Sequence, residues 1–141
     1  MKVSEIMSRD VELVSPQDSV ADAAKRMRDG DVGALPVGDG DKLAGMITDR
    51  DIAIRVVAEG RGGDTPVSDA MTTDIVAVRE EDSLEDAADL MADAQVRRLP
   101  VVGGDGQLVG IVSLADIARV GETAAEEALE SITEAGGEHN N

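Results

Sequence analysis

The chain of 141 residues carries 30 acidic against 13 basic side chains, a formal net charge of −17, and no Phe, Tyr, Trp or Cys. Its length suits one compact domain or two small packed halves, and its 42% hydrophobic content must build a core from Val, Ile, Leu, Met and Ala. The composition excludes disulfides, thiolate zinc clusters and a thiol nucleophile, and the acidity is a poor match for a nucleic-acid backbone or an anionic membrane.

The opening stretch "MKVSEIMSRD" holds no apolar run of the kind a signal peptide needs. No later stretch has the length to cross a bilayer, so the expectation is a cytoplasmic protein. "VSEIM" (3–7) reads as a short helical turn and "VELV" (11–14) as a strand. A helix follows, opened by Ser19 with Asp22 three residues on. Its apolar positions Val20, Ala23, Ala24 and Met27 follow the i, i+3, i+4, i+7 stripe of one buried face. Gly30 suits its C-terminal stop. "ALPV" (34–37) and "LAGMI" (43–47) read as strands of a hairpin turned by "GDGD" (38–41). Pro36 must sit where a strand needs no N–H. "DRDIAIRVVAE" (49–59) closes the unit as a second helix.

After the linker "GRGGDTP" the same order returns. "VSDAM" (67–71) is the turn and "IVAV" (75–78) the strand. Ser83 and Asp86 open a helix whose stripe is Leu84, Ala87, Ala88 and Met91. "LPVV" (99–102) and "LVGIV" (108–112) form a hairpin through "GGDG", and "LADIARV" (114–120) is the closing helix. Residues 122–135 read as an acidic helix with Ala125, Ala128, Leu129 and Ile132 on one side, and "GGEHNN" as a disordered tail. The sole histidine, His139, falls in that tail and reads as a bystander.

The chain is therefore an internal repeat. At an offset of 64 positions Val3-Ser4 falls on Val67-Ser68, Met7 on Met71, Ser19 on Ser83 and Leu35-Pro36 on Leu99-Pro100. One inserted residue in the second glycine turn then aligns Gly45 with Gly110, Thr48 with Ser113, and Asp51-Ile52 with Asp116-Ile117. The expected organisation is repeat 1 over 1–60, a linker over 61–66, repeat 2 over 67–121 and a tail over 122–141.

The duplicated βαββα order, "LPV" before a glycine turn and "G-x-x-[ST]-x-x-D" after it resemble a tandem pair of CBS domains, or Bateman module. The resemblance spans about residues 1–121 and is closest to the stand-alone two-repeat proteins of bacteria and archaea. It implies an α/β (α+β) fold whose two repeats pack through their sheets with pseudo-twofold symmetry. It implies two clefts between the repeats that take AMP, ADP, ATP or another adenosyl compound, with no cofactor required. It also implies a homodimer formed through the helices.

"GMITDRD" (45–51) and "GIVSLAD" (110–116) carry the candidate site residues. Thr48 with Asp51, and Ser113 with Asp116, fit helix N-caps worth about 1 kcal/mol each. The same positions suit a ligand: a helix N-terminus favours phosphate, and a carboxylate can accept both ribose hydroxyls. By the resemblance, Asp51 and Asp116 take the ribose position of each repeat, and Thr48 and Ser113 the neighbouring hydroxyl position. The resemblance also sets Arg97 and Arg98 toward the cleft of Asp51, where two guanidiniums suit a phosphate. Gly33 and Ala34 stand at the matching positions of the first repeat, which leaves Arg50 as the cation expected for the cleft of Asp116.

The leading expectation is a regulatory ligand-sensing module, and the alternative a dimeric interaction scaffold docking an unidentified protein partner without a small molecule. An enzyme is disfavoured because residues 1–121 hold no histidine, no cysteine and no nucleophile–base pair. Nucleic acid is disfavoured because no basic stripe is present. Asp39 and Asp41 lack the further oxygen ligands of a calcium loop.

Overall fold

The computed structural model describes residues 1–121; the acidic segment and tail expected beyond them lie outside the described residues. Helix α1 spans Val20–Gly30, and the hairpin strands β1 and β2 span Ala34–Asp39 and Lys42–Thr48. Helix α2 (Asp49–Ile52) runs straight into a π-helical turn over Ala53–Val57. In the second repeat come β3 (Val78–Arg79), α3 (Leu84–Ala94), β4 (Arg98–Val102) and β5 (Leu108–Ser113). A last helix, α4, occupies residues 114–121. No helix among the described residues is long and apolar enough to cross a membrane.

The helix starts are the ones the sequence marks. Ser19 Oγ accepts from Asp22 N–H and Ser83 Oγ from Asp86 N–H, each at 3.1 Å. Val20, Ala23 and Met27 are buried, as are Ala87 and Met91. Ala24, placed on the buried stripe by spacing alone, is exposed. The C-terminal stop also differs by one residue. Asp31 (φ 52°) and Gln95 (φ 58°), not Gly30, take the left-handed conformation that ends α1 and α3.

β1 and β2 pair antiparallel to form the first sheet, and β3-β4-β5 form the second, with β3 parallel to β4. The expected strand "VELV" shrinks to one parallel bridge, Val14 to Val37. "IVAV" pairs only from Val78 onward. Its earlier residues Ile75 and Val76 leave the sheet and line the cleft described below.

The two repeats exchange their opening turns. Val3 and Met7 are buried in the core of the second repeat, among Val78, Met91, Leu99 and Val112. Val67 and Ala70 are buried in the core of the first, among Val20, Leu35, Ile47 and Val56. Backbone bonds anchor both segments: Val3 N–H donates to Asp82 O and Val67 N–H to Asp18 O, each at 2.8 Å. The cross-bridges obey the same offset, since Ser8 pairs with Ile111 and Thr72 with Met46. Lys42 pairs with Gln107, its own repeat-equivalent, so the pseudo-twofold axis passes between them. The fold is the mixed α+β pair of repeats that the duplication implies.

Candidate functional site

Residues of both repeats line a cleft of about 610 Å³, within the size range of small-molecule sites. The end of β2 and the first turn of α2 contribute Met46, Thr48, Asp49, Arg50 and Asp51 to its lining. Thr72, Asp74, Ile75 and Val76 also line it, as do Gln95, Val96, Arg97 and Arg98. Val76 and Val96, 38% and 39% exposed, offer apolar surface to the cleft. With no aromatic ring in the chain, a flat ligand would lie against these aliphatic side chains.

Thr48 and Asp51 meet as a reciprocal capping box. Asp51 N–H donates to Thr48 Oγ1 and Thr48 N–H donates to Asp51 Oδ2, both at 3.0 Å. Arg55 Nε approaches the other carboxylate oxygen, Oδ1, at 3.9 Å. The Asp51 side chain is thus held rigidly by one oxygen while the other stays near the cleft.

The first-turn amides are already engaged. Asp49 N–H donates to Gly33 O at 2.9 Å, Arg50 N–H to Asp49 Oδ1 at 2.8 Å, and Asp51 N–H to Thr48 Oγ1. The expectation that these amides point outward to receive a phosphate therefore needs correction. The unengaged donors at the cleft therefore belong to side chains and not to the helix start. Arg97 and Arg98 are exposed, and among the described residues neither guanidinium has a hydrogen bond or ion pair. Both side chains line the cleft.

Thr48, Asp51, Arg97 and Arg98 thus share one cleft across the two repeats. Arg50, expected at the cleft of Asp116, lines this one, because it stands in the same helical turn as Asp51. Ser113 and Asp116 do not line it. Ser113 is 8% exposed and its Oγ accepts from Asp116 N–H at 3.1 Å. The Asp116 carboxylate pairs with Arg119 one turn along the same helix. Sequence reasoning missed Asp49, Asp74, Ile75, Val76 and Val96 as lining residues. The one sequence signal was the weak strand around Ile75, apolar but bounded by Thr73 and Asp74. No group of three or more metal-ligating side chains occurs among the described residues.

The comparisons with known proteins agree with this architecture. The family profile described as CBS domain matches twice, over residues 3–58 and 67–123. The CBS domain-containing protein YhcV of Bacillus subtilis (strain 168) is 47% identical over 131 residues, 93% of this chain and 92% of the relative. Among solved structures, CBSX2 of Arabidopsis thaliana in complex with AMP superposes with a TM-score of 0.77 at 30% identity, covering 88% of this chain and 98% of that one. The CBS domain pair of protein MJ0100, in complex with 5′-methylthioadenosine and S-adenosyl-L-methionine, gives 0.77 at 27% identity over the same shares. With two matched repeats covering most of its length, the chain belongs to the CBS domain family as a tandem pair.

Proposed function

We propose that the protein is a regulatory ligand-sensing module, not an enzyme, that binds an adenine nucleotide or a related adenosyl compound in the cleft of Asp51. One observation carries the reading: a capped carboxylate, two unengaged guanidiniums and aliphatic walls converge on a single cavity built by both repeats. Asp51 accepts the ribose hydroxyls, with Thr48 beside it. Arg97 and Arg98 hold the phosphate or the ligand's carboxylate. Ile75, Val76 and Val96 enclose the base. Ser113 and Asp116 mark the equivalent second cleft, which has Ala115 where the first has Arg50. AMP in CBSX2 and the adenosyl ligands of the MJ0100 pair support this class of ligand. The ligand acts by binding one arrangement of the two repeats better than another.

A homodimer belongs to the same proposal. Ile54 and Val57 on the π-helical turn, 46% and 67% exposed, are the apolar surface an isologous contact would cover.

The deciding measurement is the near-ultraviolet spectrum of purified, nuclease-treated protein. Without Trp, Tyr, Phe or Cys the chain is nearly transparent where adenine absorbs. A retained adenine band, or calorimetric binding of added AMP, supports the reading. A flat spectrum with no heat from AMP, ATP or S-adenosylmethionine defeats it and leaves the interaction scaffold.

A further inference from the structure

Three arginines line the cleft, Arg50, Arg97 and Arg98, and so do three carboxylates, Asp49, Asp51 and Asp74. The formal charge of the lining side chains is therefore zero. Asp51 is committed to the cap and to the ribose position, but Asp49 and Asp74 have no such task. Asp49 is exposed, and its carboxylate lies over Gly33, where Oδ2 would sit 3.1 Å from an added Cβ. Its other oxygen accepts the Arg50 amide, so an acidic group already occupies the position where a phosphate would meet the helix start. Asp74, also exposed, lines the same cleft as Arg97 and Arg98.

Resting on the adenosyl reading above, we infer that Asp49 and Asp74 restrict the cleft to ligands with at most one phosphate, or with a zwitterionic tail, and select against di- and triphosphates. Two guanidiniums balance one phosphate or one carboxylate. Each further phosphate adds negative charge to a cleft in which Asp49 and Asp74 outnumber the one remaining cation, Arg50. Coulomb repulsion between groups that share one cleft is only partly screened by salt. The chain's net charge of −17 acts in the same direction at longer range.

The test is a calorimetric series on the full chain at one ionic strength without magnesium: adenosine, AMP, ADP, ATP and S-adenosylmethionine. AMP should bind about tenfold more tightly than ATP, with ADP between, and added salt should narrow the gap. Asp49→Asn and Asp74→Asn keep size and hydrogen-bonding capacity, and each should shrink the AMP-to-ATP ratio by about threefold. ATP binding as tightly as AMP, or a ratio unmoved in both variants, overturns the inference while leaving the adenosyl reading intact. Failure of every compound, adenosine and S-adenosylmethionine included, overturns the adenosyl reading and this inference with it.

Discussion

Gly110 lies so close to Met7 that a Cβ added to it would stand 2.7 Å from Met7 Sδ, and equally close to Ser8 O. Gly45 meets Thr72 O and Met71 Sδ at 2.6 and 3.2 Å in the same way. Each glycine is the first residue of a "G-x-x-[ST]-x-x-D" run, and each faces the opening turn of the other repeat. The glycine that begins the motif therefore serves the exchange of segments, and the aspartate that ends it serves the cap.

Gly45→Ala and Gly110→Ala should each destabilise the protein by about 1–3 kcal/mol, because the obstructing atoms include backbone carbonyls that cannot rotate away. Gly104→Ala, with nothing within 4 Å of the new methyl group, is the control and should leave the thermal midpoint nearly unchanged.

Exchange of the opening turns makes a directional prediction. Val3→Ala removes apolar volume from the core of the second repeat, at a cost of about 1–3 kcal/mol. Hydrogen exchange should quicken in β4 and β5 more than in β1 and β2. Val67→Ala should reverse that pattern, since its side chain lies in the core of the first repeat. Faster exchange confined to each residue's own repeat would contradict the exchange of segments.

Gln95 and Asp31 hold left-handed backbone conformations that glycine adopts without a Cβ penalty. Gln95→Gly and Asp31→Gly should each raise stability by about 0.5–1 kcal/mol in denaturant titrations. Gly30→Ala, whose nearest neighbour is Val32 at 3.8 Å, should be tolerated or mildly stabilising, since Gly30 is the last helical residue and not the left-handed one.

Arg97→Ala and Arg98→Ala should leave the melting temperature within a degree or so of wild type, as exposed side chains without partners contribute little. Loss of a charge-assisted bond should nevertheless weaken AMP binding by about ten- to a hundredfold. Thr48→Ala should lower both stability, by about 1 kcal/mol, and affinity, because one hydroxyl serves the cap and the cleft. Equal AMP affinity in all three variants would remove these residues from the site.

The duplication, the order of elements and the helix starts at Ser19 and Ser83 follow from the sequence alone. Each depends on local chemistry: a hydroxyl satisfying an amide three residues on, apolar side chains at helical spacing, glycine in a tight turn. The pairing of Thr48 with Asp51 is legible for the same reason. Which repeat buries Val3 and Val67 is not, because both cores present similar aliphatic surfaces and only the packed pair decides between them. The left-handed stops at Asp31 and Gln95 escape the sequence because the turn falls on a residue other than glycine in both helices, one position beyond Gly30 in the first. The cleft's zero charge escapes it too. Asp51 and Arg97 stand 46 positions apart in the chain and in different repeats, and only the packing of the two repeats brings them to a single cavity.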